Sequence, residues 1–166
     1  MFQSVINDFF ANFICYNLPK KRKLNRMPEK KIIGNKEVIS IIDLDLYDLD
    51  AKVDTGADSN ALHCDDIFID SENIVHFKLL DKIHPAYHGK KMAIPLYQMK
   101  KVRSSNGKFQ KRPSIRVKVD FFEKKYMTVI SLTDRSDMKY PMLIGKKFLA
   151  NKFLVDVSKE YLAKKN

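Results

Sequence analysis

The chain has 166 residues, 45% of them hydrophobic and 31% charged, with five glycines, six prolines and a formal net charge of +11. That length and apolar content suffice for one substantial core, and the composition excludes wholesale disorder and fibrous repeats. The two cysteines, Cys15 and Cys64, lie far apart, which excludes a disulfide framework and a cysteine-based zinc site and favours a reducing, cytoplasmic setting.

Residues 1–29 read as an N-terminal extension with room for an accessory helix, ahead of a domain over 30–166. Its apolar residues are interrupted by Asn7, Asp8 and Asn12, and the run Lys20-Lys21-Arg22-Lys23 follows them. A secretory signal has the opposite order, and no stretch approaches the roughly 20 apolar residues of a membrane span, so no membrane partner is expected. Next, Ile32-Ile33 and 38–42 predict a hairpin around Gly34-Asn35, followed by an acidic turn over 43–50 and a strand entering Asp54. Further strands are expected over 61–69, 74–80, 115–122 and 126–132, with Ile115, Val117 and Val119 in alternation. Asn106-Gly107 is a strong hairpin turn, because both residues adopt positive φ cheaply. A short helix is expected over 146–152, led by Gly145, and a last strand over 153–157. The fold class is therefore mainly β: a closed or partly open, mostly antiparallel barrel with one short C-terminal helix.

The charge is localised. Between residues 78 and 118 twelve Lys or Arg stand against one acid, Asp81, and the rest of the chain is balanced. Such a run is either a solvated loop face or a surface that attracts a polyanion, whether an acidic peptide or nucleic acid.

Two motifs carry the chemistry. At the end of a predicted strand stands Asp54-Thr55-Gly56-Ala57-Asp58, followed by Ser59-Asn60-Ala61-Leu62. A small hydroxyl residue and then Gly let a carboxylate project from a tight turn, and Gly permits close approach of a second chain or a substrate. The second motif, Pro141-Met142-Leu143-Ile144-Gly145, is an apolar strand ending in Gly at a helix start. Through Leu143, Ile144 and Gly145 it would support such a turn from beneath. Alone, Asp before Thr-Gly is most often a turn residue that caps local backbone.

Both motifs resemble those of the retropepsins, the single-lobe viral aspartic peptidases. The series Lys52-Val53-Asp54-Thr55-Gly56-Ala57 with Ala61-Leu62-His63, Asn106-Gly107 before Arg112-Pro113, Leu132-Thr133-Asp134-Arg135 with Met138, Pro141 to Gly145, and Phe153-Leu154-Val155-Asp156 extends the likeness. In that order it resembles the bacterial retropepsin-like family labelled ATP-dependent zinc proteases. The resemblance implies the acid-protease fold and an aspartic-type peptidase without cofactor, with Asp54 catalytic and Thr55, Gly56, Ala57 and Asp58 forming the active-site turn. The family commonly has Arg where this chain has Asp58. Carboxylate-driven hydrolysis needs one group to donate a proton and another to accept one. A chain with one such Asp therefore implies a twofold homodimer with both Asp54 side chains at the axis.

The resemblance also places a flap between the two motifs, with its tip at Asn106-Gly107. Lys100, Lys101, Arg103, Lys108, Lys111 and Arg112 would then face or flank an acidic or glutamate-rich substrate. Family members are linked to removal of glutamate tails added by ATP-grasp ligases, which fits the charge. The zinc and ATP of the family label find no support in the residues. There is no His-Glu-x-x-His and no phosphate-binding Gly-rich loop, and His84 and His88 bracket a proline that disfavours a shared helix. His63 and His76 read as satisfied strand residues, Asp134-Arg135 as a structural ion pair, and no metal is expected. The alternative is a non-catalytic module of the same fold gripping an acidic partner or RNA. Tyr97 and Phe109 offer thin aromatic content for stacking on bases, which disfavours nucleic acid.

Overall fold

Strands whose side chains alternate between apolar and charged bury one face, and the strand Phe109–Phe121 does so most cleanly: Ile115, Val117, Val119 and Phe121 are buried while Arg116 and Lys118 are exposed. The computed structural model describes residues 29–80, 82, 84, 85, 87–103, 109–134 and 139–163, with Arg103 as backbone alone. The expected N-terminal helix and the hairpin tip at Asn106-Gly107 lie outside the described residues.

The strands are β1 (Lys31–Ile33), β2 (Lys36–Ile41), β3 (Leu46–Asp54), β4 (Asn60–Ile69), β5 (Ile74–Leu79), β6 (Lys91–Pro95), β7 (Gln98–Arg103), β8 (Phe109–Phe121), β9 (Lys124–Thr133), β10 (Met142–Gly145) and β11 (Phe153–Val155). A 3₁₀ turn spans Ile42–Leu44, and one short helix, α1, spans Lys146–Leu149. The main sheet runs β10-β3-β2-β8-β9-β4-β5-β6, with β7 on β8. It curls until β10 pairs with β3 in parallel and with β4 antiparallel. The result is the expected mainly β, partly open barrel with one C-terminal helix.

Three expectations are corrected. Ile32-Ile33 does not form a hairpin with the next strand; β1 pairs in parallel with β11, Ile32 opposite Leu154. The acidic stretch 43–50 is a turn only at its start, and β3 already begins at Leu46. There Asp48 has φ 52°, and the β2 register slips between Ile39 and Ile41, so a bulge breaks the alternation that would mark a strand. The helix is one turn long, since Ala150 leaves helical backbone geometry. In addition, β6 and β7 form in the Lys-rich stretch.

The core is filled by the inner faces of β3, β4, β5, β8 and β9 and closed at one end by Phe121, Phe122, Tyr126, Phe148 and Phe153. Phe121 meets Phe122 edge-on at 4.9 Å and Phe153 at 5.2 Å. Each fully buried side chain of this size contributes about 1.5–3 kcal/mol, and Phe148 and Phe153 thereby pin α1 and β11 against β8.

The C-terminal segment locks the start of the domain through a buried acid. Glu37 is 0% exposed; its Oε1 accepts from the Gly34 N–H at 2.6 Å and its Oε2 from the Ala163 N–H at 2.8 Å. Around it, Asn35 N–H donates to the Lys159 carbonyl and Tyr161 N–H to the Lys36 carbonyl. Orphaning a buried donor costs about 1–3 kcal/mol. Glu37→Ala is therefore expected to lose roughly 2–4 kcal/mol in urea unfolding; a midpoint within experimental error of the parent would remove Glu37 as the clasp.

Candidate active site

Asp54 ends β3, where the chain must reverse into β4 within five residues. Its Oδ1 accepts from Gly56 N–H at 2.9 Å and Ala57 N–H at 3.1 Å, and Ala57 N–H also approaches the Asp54 carbonyl at 3.2 Å. This Asx-type closure fixes the carboxylate. Among the described residues Oδ2 has no hydrogen-bond partner. Thr55, Gly56 and Asp58 are exposed, and Ala57 is half-buried. A Cβ added to Gly56 would meet only the Asp54 carboxylate, at 3.3 Å, so nothing else within the subunit demands glycine there.

The second motif lies directly beneath. Ile144 is in register with Val53, and Gly145 with Asp54. Lys146 N–H donates to the Ala57 carbonyl at 2.8 Å and Lys147 N–H to the Asp58 carbonyl at 3.2 Å, so the first residues of α1 hold the turn by its backbone. Gly145 N–H donates to Asn60 Oδ1 at 2.9 Å, while Asn60 Nδ2 donates to Thr128 Oγ1 at 2.9 Å. Ile144 is fully buried and Leu143 half-buried. Sequence reasoning missed Asn60; the one signal was a polar amide entering an otherwise apolar strand just after the turn.

Lys146 was also missed as a site residue. Its Nζ lies 2.6 Å from Asp58 Oδ1, and this hydrogen bond and charge hold the Asp58 carboxyl below its ordinary value of 3.8. A depressed carboxylate stabilises the fold above its unfolded pKa, and that contribution is lost as pH falls through the folded value. Replacing Lys146 with Ala should move the Asp58 carboxyl ¹³C titration up toward 3.8; an unmoved midpoint would show that Lys146 does not set it.

The basic hairpin is built from β7 and β8, with Lys100 opposite Arg112, Lys101 opposite Lys111, and Arg103 opposite Phe109. Strand alternation sends Lys100 and Lys101 to opposite faces. Lys100 lines a cleft beside the Asp54 turn together with Arg116, Lys147 and Lys152. Lys101 lies over the Phe109 ring at 4.6 Å, and Arg112 donates to Gln110 Oε1. Lys108 lies outside the described residues.

Of the histidines, His76 pairs with Asp70 at 2.7 Å and stacks on Phe68. Asp70 is held below its ordinary value, chiefly by that hydrogen bond. His84 and His88 sit on the loop between β5 and β6, where Tyr87 N–H closes a turn on the His84 carbonyl and His88 Nδ1 accepts from Lys90 N–H. One trio was missed: His63, Asp65 and Asp134 bring donor atoms within 4.8 Å of one another, with His63 Nδ1 3.7 Å from Asp134 Oδ1. One imidazole and two carboxylates give three donors, one short of a structural zinc site and equal in number to the protein ligands of a catalytic one. His63 is buried, Asp65 half-buried and Asp134 exposed, and exposed acids commonly cluster without an ion. Among the described residues no helix is long and apolar enough to cross a membrane.

A model of the family described as retropepsin-like aspartic endopeptidase RimB matches residues 32–166, from β1 through the C-terminal clasp. The chain belongs to the RimB-like family. Similar curated proteins include a "Probable alpha-L-glutamate ligase" of Shewanella halifaxensis, 30% identical over 139 residues, covering 80% of this chain and 30% of that protein. Another of the same name from Parasynechococcus marenigrum is 29% identical over 140 residues, covering 78% of this chain and 28% of that protein. The RimB-like chain thus spans less than a third of the length of these relatives. A crystal structure of Lpg0085, a Legionella pneumophila protein of unknown function, superposes with a TM-score of 0.66 at 26% identity, covering 82% of this chain and 100% of that one.

Proposed function

We propose that this chain is one half of an aspartic-type endopeptidase, completed by a second copy, that cuts peptide bonds in or beside glutamate-rich sequence. The observation that carries the reading is the Asp54 carboxylate, fixed through Oδ1 by its own turn while Oδ2 has no partner among the described residues. The exposed turn supports self-association, since Gly56 answers to no packing inside its own subunit beyond Asp54. So does β1, which presents Ile32 beside Leu154, both about half exposed, and leads into Asn35, whose carbonyl accepts from Val53 N–H at the base of the catalytic strand.

In the dimer two Asp54 carboxylates meet. Both cannot remain ionised at close range, so they share a proton. The ionised member takes a proton from water as the water oxygen attacks the scissile carbonyl carbon, and the protonated member donates to the carbonyl oxygen. Collapse of the tetrahedral species breaks the C–N bond as the carboxyl that took the water proton returns it to the departing nitrogen, and the hydroxyl proton goes back to the other Asp54, leaving an acid and an amine. Cationic walls near the turn favour an acidic chain. The ligase names of relatives that contain a segment like this one point to glutamate as the residue at issue. The test is digestion of a glutamate-tailed protein by wild type and Asp54→Asn, read by mass spectrometry. Cutting of neutral peptides alone, without Asp54-dependent trimming of the tail, would overturn the substrate class.

A further inference from the structure

Just beyond the Asp54–Asp58 turn, bordered by Ser59 and Asn60, lies a cleft of about 440 Å³, within the rough 300–1,000 Å³ range of ligand pockets. Ser59 and Asn60 carry the chain from the turn into β4, so the cleft adjoins the start of that strand. Its walls bring together cations far apart in sequence: Lys100 from β7, Arg116 from β8, and Lys147 and Lys152 from α1 and the turn after it. No carboxylate lines it. Asp58, the nearby acid, is already taken by Lys146.

These side chains are placed. Arg116 lies between buried Ile115 and Val117 in a regular strand, so it projects from the outer face of β8, opposite Val129 of β9. Lys152 is anchored by a 2.7 Å hydrogen bond from Nζ to the Phe148 carbonyl. Lys147 is held through its backbone N–H on Asp58. None of Lys100, Arg116 and Lys147 has an ion-pair partner among the described residues. Burial and the proximity of Lys147 push the Lys100 ammonium below its ordinary value, partly offset by Asp58. Several like charges around one small volume oppose folding unless a counter-charge enters, and an anion there is attracted by all of them at once.

We propose that this cleft is a specificity subsite, in which Lys100, Arg116, Lys147 and Lys152 take a side-chain carboxylate of the substrate peptide a few residues from the scissile bond. The inference deepens the peptidase reading and rests on it for the identity of the ligand. Continuity with the catalytic turn favours a peptide over RNA. Tyr97 and buried Phe148 are the aromatic rings in the lining, which is thin for base stacking.

The test separates binding from hydrolysis. Fluorescent hexaglutamate and hexaglutamine are titrated by anisotropy into Asp54→Asn protein, alone and combined with Arg116→Gln and Lys147→Gln. Lys124→Gln, at the far end of β9, controls for net charge, and thermal melts control for folding. The cleft substitutions are expected to weaken hexaglutamate binding about tenfold or more, with a shallower salt dependence, while Lys124→Gln changes it less than twofold. In wild type, peptides differing only by Glu or Gln near the cut should be discriminated through KM, and the same cleft substitutions should bring that ratio toward one. Unchanged hexaglutamate binding in the folded cleft variants overturns the subsite. So does a single-stranded RNA, titrated in the same way, that loses affinity in the cleft variants while the Glu over Gln preference stays intact. Cleft-dependent binding by a protein that cuts no peptide would instead sustain the subsite and overturn the peptidase reading.

Discussion

Asp54→Asn is expected to lower hydrolysis of an acidic peptide by on the order of 10³-fold or more, because it removes a group acting in proton transfer from both halves of the site. The fold should survive. An amide oxygen can accept from Gly56 and Ala57 as Asp54 Oδ1 does, at 2.9 and 3.1 Å. The half-site geometry adds a sharper consequence. After subunits of wild type and variant have exchanged in equal amounts, checked by native mass spectrometry, about a quarter of the dimers carry two carboxylates, so activity per total protein should fall to roughly a quarter. A fall to one half would mean that each subunit works alone, and the paired-carboxylate reading would be lost. Measured retention of activity by Asp54→Asn itself would remove Asp54 from the chemistry.

The residues that were legible in sequence are those whose role is local. The turn from Asp54 to Asp58 closes on its own backbone, and the strand before Gly145 is a short apolar run, so both could be read without knowing what lay beside them. The alternation of Ile115, Val117 and Val119 gave β8 in the same way. What failed was non-local. Gly34-Asn35 has the chemistry of a hairpin turn, yet β1 is claimed by β11 more than a hundred residues later, in register Ile32 with Leu154. Tertiary pairing outweighed the local turn signal. Strand β6 was hidden because Lys91 and Pro95 suit the edge of a sheet, where an unpaired backbone row is best blunted by charge and proline. The cleft was illegible for the same reason as β1. Lys100, Arg116, Lys147 and Lys152 share no motif and meet only because β8 runs between β7 and β9 while α1 packs beneath them. The basic run from 78 to 118 holds Lys100 and Arg116, but half of the lining cations lie outside it.

Two glycines in the candidate site should separate support of the turn from contact across the dimer. A Cβ on Gly145 would fall 2.5 Å from the Ser59 carbonyl carbon and 2.7 Å from its nitrogen and oxygen. All three are backbone atoms of the chain leaving the Asp54 turn, so no rotamer relieves the clash. Gly145 is itself fixed by β10 pairing with Asp54 and by Asn60 Oδ1. Overpacking of this kind costs about 1–3 kcal/mol and more where backbone must move. Gly145→Ala is expected to lose about 3 kcal/mol, a Tm drop of roughly 10 °C, and to displace Lys146 and Lys147 from the Ala57 and Asp58 carbonyls. Activity should therefore fall further than the stability loss explains at a temperature where the variant is folded. At Gly56 the added Cβ meets only the Asp54 carboxylate. Gly56→Ala should accordingly melt within about 2 °C of wild type under dilute, monomeric conditions, yet associate more weakly in sedimentation velocity. If Gly56→Ala left association intact while Gly145→Ala weakened it, the turn would not be the surface at which two copies meet.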